Sequence, residues 1–293
     1  MSIIPVTVPT GAIRYNTDSN KMECFDGTKW WQVAVSSHDL DGGARGLFQG
    51  GGTSSPTGDT IDYITISTAG NAVDFGDTTD TQYEGGATSS RTRGVIALGY
   101  TNPATVDTIE YVTMSSTGNT IDFGNLVAAK RSTCALSNGT RGIWAGGGDP
   151  LTNSIDYVTI ASTGNAQDFG DITRAGSGGR YEGTAISNST RAVQVGGYGP
   201  NYTDDIEYVT IATRGNTTPF GDLTAMNGTG KGGASSSIRG VIAGGYYAPA
   251  TPFSDTMEYI TFATEGNGVD FGNLSLARRM PQGGCSNGHG GVQ

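Results

Sequence analysis

Arg141-Gly142-Ile143-Trp144-Ala145-Gly146-Gly147-Gly148 carries an apolar run into three glycines, and Ile155-Asp156-Tyr157-Val158-Thr159-Ile160 follows after a polar loop. Gly164-Asn165 and then Asp168-Phe169-Gly170 come next. Both apolar runs are short, β-branched and aromatic, the composition of strands rather than helices. In the second, apolar side chains fall on both faces, as in a strand covered on both sides. The glycines sit where turns and close backbone approach need them.

This block occurs five times. Arg45, Arg93, Arg141, Arg191 and Arg239 open it, at spacings of 48, 48, 50 and 48 residues. The tyrosine strand recurs at 61–66, 109–114, 155–160, 206–211 and 257–262. Gly-Asn pairs follow at Gly70, Gly118, Gly164, Gly215 and Gly266. They read as the centres of tight hairpin turns, since both residue types tolerate positive φ. Phe75, Phe123, Phe169, Phe220 and Phe271 each precede a glycine, and a Gly/Ala/Ser-rich strand leads to the next Arg. Each unit therefore holds four strands. No segment shows capped helical periodicity, so almost no helix is expected. A period near 48 residues lies between those of the WD40 and kelch repeats, each of which builds one propeller blade. The repeated arginines are expected to be structural, because all five units share them.

The glycine doublet, the tyrosine strand and the aromatic strand after it resemble the kelch repeat over residues 42–293. Phe stands at all five positions where kelch repeats carry Trp. The resemblance implies an all-β fold, a five-bladed kelch-like β-propeller over residues 39–293. It implies no particular function. A propeller must join its last blade to its first. Ser286-Asn287-Gly288-His289-Gly290 matches the phase of Ser137-Asn138-Gly139-Thr140-Arg141. Residues 281–288 are accordingly expected to supply the inner strand of the first blade, which lacks one before Arg45.

Residues 1–38 stand outside the repeat. Ala12-Ile13-Arg14-Tyr15, Lys21-Met22-Glu23-Cys24-Phe25 and Trp30-Trp31-Gln32-Val33 are separated by turn-rich segments, a small β-meander. Asn16-Thr17-Asp18-Ser19-Asn20 has the oxygen spacing of a calcium loop's start, but no Gly or distal Glu follows, so it reads as a turn. The stretch from Gly11 to Trp30 resembles a segment of appendage and fibre proteins of tailed bacteriophages. That resemblance implies a virion protein assembled in a bacterial host cytoplasm, with this module used for docking or oligomerisation. Trp30 and Trp31 point to opposite faces of a strand. One of them is left for a partner to cover: another virion protein or a second copy, with a trimer favoured because fibre proteins commonly trimerise. The alternative is a hairpin capping the propeller.

The charge balance excludes several classes. Seventeen basic against 27 acidic residues give a net charge of −10, which repels nucleic acid. No apolar stretch approaches the ~20 residues of a membrane-spanning helix, so no membrane insertion is expected. The start, Met1-Ser2-Ile3-Ile4-Pro5, lacks the basic region of a secretory signal. Cys24, Cys134 and Cys285 are too few and too far apart for a disulfide framework. The chain has only His38 and His289, which leaves no basis for a histidine metal centre or a His-dependent triad. Asp-Phe-Gly occurs four times, whereas a kinase carries it once beside motifs missing here. No catalytic residue, metal or cofactor is expected, and the chain reads as a binding or structural protein. A carboxylate pair for glycan cleavage stays open as a lesser alternative.

The loops that vary between units are 53–59, 101–107, 149–154, 198–205 and 246–255. They carry Tyr198, Tyr202, Tyr246, Tyr247 and Phe253, and Tyr100 borders the second of them. The links between units emerge at the same end and hold Lys130, Arg131, Arg174, Arg180, Lys231, Arg278 and Arg279. Aromatic platforms beside basic residues suit host-surface saccharides or anionic polymers. The expectation is a tail-fibre or adhesin component; a capsid decoration protein is the alternative. At the opposite end, turn residues such as Arg214 and Glu265 are expected to be free of the fold.

Overall fold

The computed structural model describes residues 8–17, 21–33, 45–51, 58–66, 68–174, 178–224, 228–246 and 253–279. Its elements are all strands; no helix occurs among the described residues. The chain divides into two compact units, Met1–Gly43 and Ala44–Gln293.

The first unit is an antiparallel sheet of β1 (Ile13–Asn16), β2 (Lys21–Phe25) and β3 (Trp30–Gln32), in that order. The pairings Ile13↔Cys24 and Cys24↔Trp31 place these residues on one face, with Tyr15, Met22 and Val33 beside them. Arg14, Glu23, Phe25 and Trp30 take the other face. There Arg14 pairs with Glu23 at 2.8 Å and lies 4.1 Å over Trp30, and Trp30 packs on Phe25. The β2–β3 turn is closed by the Asp26 carboxylate, which accepts from the Thr28 and Lys29 amides and from the Trp31 indole. The Thr28 hydroxyl, which donates to the same carboxylate at 2.7 Å and contributes most, and these bonds together hold its pKa below the usual carboxylate range. Asp18, Ser19 and Asn20 of the calcium-like segment lie outside the described residues.

The second unit opens with a three-stranded sheet of β4 (Arg45–Gln49), β5 (Thr60–Thr65) and β6 (Val73–Asp77). β7 (Gly86–Ser89), β8 (Arg93–Ala97), β11 (Thr108–Thr113) and β12 (Ile121–Asn125) build a second, with a small β9–β10 hairpin (Tyr100–Thr101, Ala104–Thr105) in its loop. β13 (Cys134–Ser137), β14 (Arg141–Gly147), β15 (Thr152–Thr159) and β16 (Gln167–Asp171) build the third. β17 (Thr184–Ser187), β18 (Arg191–Val195), β19 (Asp205–Thr210) and β20 (Thr218–Asp222) build the fourth. The fifth is β21 (Gly232–Ser235), β22 (Arg239–Ala243), β23 (Thr256–Thr261) and β24 (Val269–Asn273). All pairings within the sheets are antiparallel, and β7, β13, β17 and β21 pack in succession. Residues 281–288, expected as a fourth strand of the first sheet, lie outside the described residues.

One junction, repeated four times, joins each sheet to the next. In every sheet the Phe-Gly step is a β-bulge: Ile109 opposes Gly124 while Glu110 opposes Asp122, so Phe123 is the extra residue. The bulge turns the ring inward, where it meets its own sheet's tyrosine edge-on. The glycine permits contact with the following sheet; a Cβ at Gly124 or Gly170 would collide with the backbone of Gly164 or Gly215. Asp-Phe-Gly is thus a packing signature. The Gly-Asn pairs are not tight hairpin centres. They lie in the seven-residue connection between Thr113 and Ile121 and its equivalents, and they dock on the preceding sheet. Gly118, Gly164, Gly215 and Gly266 donate their amides to the carbonyls of Phe75, Phe123, Phe169 and Phe220 at 2.7–2.8 Å. The Asn119, Asn165, Asn216 and Asn267 side chains accept the amides of Asp77, Asn125, Asp171 and Asp222.

The repeated arginines complete the junction. Arg45, Arg93, Arg141 and Arg191 each stack on their own sheet's tyrosine. Each also donates to a carbonyl of the next sheet: Met114, Ile160, Ile211 and Phe262 respectively. A buried acid staples from the other side. Glu110 takes Thr79, Asp156 takes the Val127 amide, Glu207 takes Thr173, and Glu258 takes Thr224. At the two ends of the array this burial stops. Phe75, Phe123, Phe169 and Phe220 are buried, but Phe271 is 50% exposed; Ile160 and Ile211 are buried, but Ile66 is 62% exposed.

Candidate functional site

The links and the variable loops meet, as isolated β-bridges show. Tyr83 pairs with Tyr100, Arg131 with Gly148, Tyr181 with Tyr198, and Thr229 with Tyr246. The residue after each link position has a left-handed backbone: Glu84, Ser132, Glu182 and Gly230 have φ of 58°, 52°, 52° and 67°. For a non-glycine residue this costs roughly 1–2 kcal/mol. The conformation accompanies a backbone chain in which Ser132 donates its amide to Glu84 and Glu182 donates to Ser132.

Aromatic rings gather at this end. Tyr181 meets Tyr198 at 5.5 Å, Tyr198 meets Tyr202 at 4.7 Å, Tyr202 meets Tyr246 at 5.9 Å, and Tyr246 meets Phe253 at 6.4 Å. Tyr83 and Tyr100 form a separate pair at 4.8 Å. The tyrosines are half-buried and Phe253 is exposed, so their faces are part platform, part packing. Partial burial raises the pKa of Tyr181 and Tyr202. Tyr247 lies outside the described residues.

Three of the seven basic residues are not surface groups. Lys130, Arg180 and Lys231, expected among the ligand-binding cations, are buried. Lys130 pairs with Asp156 at 3.1 Å, and Arg180 pairs with Glu207 at 2.6 Å. Arg174 bridges Asp205 and Asp222 at 2.6 and 2.8 Å, neutralising an acidic cluster. Lys231 runs along Gly245, where a Cβ would strike its stem, and donates to the Gly228 carbonyl at 2.9 Å. It has no carboxylate within 4 Å among the described residues, and burial drives its pKa down to about 7. Of the rest, Arg131 pairs with Glu84 at 3.0 Å and lies 5.5 Å over Tyr100, while Arg279 pairs with Glu182 at 2.6 Å. Arg278 is exposed. Apart from Arg278, which has no ion-pair partner among the described residues, the rim pairs acid with base and is not a free positive patch.

Glu84 and Glu182 border a cavity of about 440 Å3, together with Gln49, Tyr83 and Gly230. Gln49, Gly85 and Gly183 also line a second cavity of about 350 Å3, whose wall takes residues from all five sheets or their lead-ins, including Thr133, Cys134 and Lys231. Cys134 is a buried free thiol, its pKa pushed up to about 12 by desolvation. Cys24 is half-buried, and Cys285 lies outside the described residues.

Sequence reasoning passed over Tyr83, Glu84, Tyr181 and Glu182. The signal was the tripeptide Tyr-Glu-Gly, which occurs at 83–85 and again at 181–183. At the far end, Glu265 is not free of the fold. It accepts from the Tyr208 hydroxyl at 2.7 Å, which raises the Tyr208 pKa, and it faces Arg191 at 3.9 Å. No protein-family profile matches the chain, and no curated protein matches it.

Proposed function

We propose that this chain is a virion appendage protein of a tailed bacteriophage that binds neutral host-surface saccharides. On this reading the five sheets form a five-bladed kelch-like propeller, and the aromatic end is the binding face. The observation that carries it is the run of rings from Tyr181 through Tyr198, Tyr202 and Tyr246 to Phe253, beside the Glu84–Arg131 and Glu182–Arg279 pairs. Aromatic faces stack on sugar rings, and ordered carboxylates and guanidinium groups supply hydroxyl partners. Because most of the rim charges are paired, a neutral saccharide fits it better than an anionic polymer. The cavity walled by all five sheets supports the ring.

The first unit serves as the docking module. Its Ile13, Tyr15, Met22, Trp31 and Val33 face is apolar and largely exposed, a patch that marks an interaction site. A second copy or another virion protein covers it.

Adsorption tests the reading: the purified chain should bind host cells, and soluble surface polysaccharide should compete it off. Antibody labelling should place it on the tail. Failure to bind, with labelling on the capsid, would refute the adhesin role.

A further inference from the structure

The end faces of the five-sheet array are the two unused halves of the junction described above. We infer that they close on each other within one chain, through a fifth junction whose residue pairs can be named. This rests on the ring reading and specifies it.

Each half is identified by position. Gly51, Gly147, Gly197 and Gly245 donate their amides to the carbonyls of Gln82, Arg180, Gly228 and Arg278. Arg278 thus occupies, after the fifth sheet, the place that Arg180 occupies after the third. Arg180 pairs with Glu207 of the following sheet, as Lys130 does with Asp156. The same Ile-acid-Tyr position of the first sheet is Asp62, between Ile61 and Tyr63. Arg278 and Asp62 are both exposed, and neither has an ion-pair partner among the described residues.

Three further registers agree. Arg45, Arg93, Arg141 and Arg191 reach a carbonyl of the next sheet; by the same step Arg239 reaches Ile66. Among the described residues Arg239 stacks on Tyr259 and makes no such bond. Gly118 and Asn119 dock on Phe75 and Asp77, so Gly70 and Asn71 dock on Phe271 and Asn273. Closure also buries Phe271 and Ile66, whose equivalents in the other junctions are covered. The occupant of each face is therefore the opposite face of the same chain. A second copy carries the same surfaces and would join head to tail, as a ring of copies or an open ladder, which cross-linking separates from closure within one chain.

The test uses the full-length chain with Cys24 and Cys285 changed to Ser. Asp62→Cys with Arg278→Cys, treated with a short bismaleimide at low protein concentration, should cross-link within one chain and stay at monomer mass. A ladder of oligomers would overturn the inference in favour of head-to-tail assembly, and no cross-link would overturn the named register. A charge swap checks it without cysteine. Asp62→Arg and Arg278→Asp should each lower the melting temperature by about 2–4 °C, and the swap should restore much of it. Additive losses would overturn the pairing. Polysaccharide binding, measured on the same variants, separates the two readings: binding without the cross-link sinks the junction alone, and a cross-link without binding sinks the adhesin role alone.

Discussion

The amide of Gly164 donates to the carbonyl of Phe123 at 2.7 Å, so that a connection in one sheet completes the outer strand of the sheet before it. Each sheet is thereby a surface for its neighbour. The bulge glycine, the docking Gly-Asn pair, the arginine and the buried acid are four parts of that one contact.

Gly170→Ala should be much more damaging than Gly164→Ala. Both have φ near +150°, so both suffer backbone strain. Only Gly170 faces backbone, at Gly215, where a Cβ has no room; at Gly164 the space is open. Overpacking of this kind costs about 1–3 kcal/mol. Equal melting temperatures for the two variants would count against the close sheet contact.

Arg180→Met should destabilise the second unit by about 3–5 kcal/mol, because it strands a buried carboxylate at Glu207. Adding Glu207→Gln should recover part of the loss. Chemical denaturation of both variants, with non-additivity between them, checks the pair.

Lys231→Met should raise stability, and more so at low pH. The folded pKa of Lys231 is about 7, against an ordinary value of 10.5. Between those values the unfolded chain binds more protons, so the wild type gains stability as pH rises. Below pH 7 the penalty for the buried ammonium is fully present. The melting-temperature advantage of the variant should be largest at pH 6 and shrink toward pH 10. An advantage that does not change with pH would contradict the buried cation.

Trp31→Ser with Ile13→Thr should lower the oligomeric state in light scattering and leave the melting of the second unit unchanged. Both residues lie exposed on the apolar face of the first unit. An unchanged assembly would show that this face does not join copies.

The strands and their order were legible because the block repeats: the spacing of Arg45, Arg93 and Arg141 marked equivalent positions before any contact was known. The role of Gly164-Asn165 was not, since its partner, Phe123, is some forty residues away and local turn chemistry gave a simpler reading. Lys130, Arg180 and Lys231 were misplaced for a different reason. Sequence shows charge but not burial, and all three are buried in the fold. Tyr181-Glu182 was visible as a repeat of Tyr83-Glu84, yet it lies in links that composition marks only as polar and glycine-rich.

Calorimetric titration with host-surface polysaccharide tests the binding face most directly. Tyr198→Ala and Tyr202→Ala should each weaken binding about tenfold or more, in line with about 1–3 kcal/mol for a lost aromatic contact. Arg214→Ala, exposed at the opposite end, should bind as the wild type does. Affinity should change little between low and high salt, because most of the rim charges are already paired. Wild-type affinity in both tyrosine variants, with loss of binding in Arg214→Ala, would contradict the account.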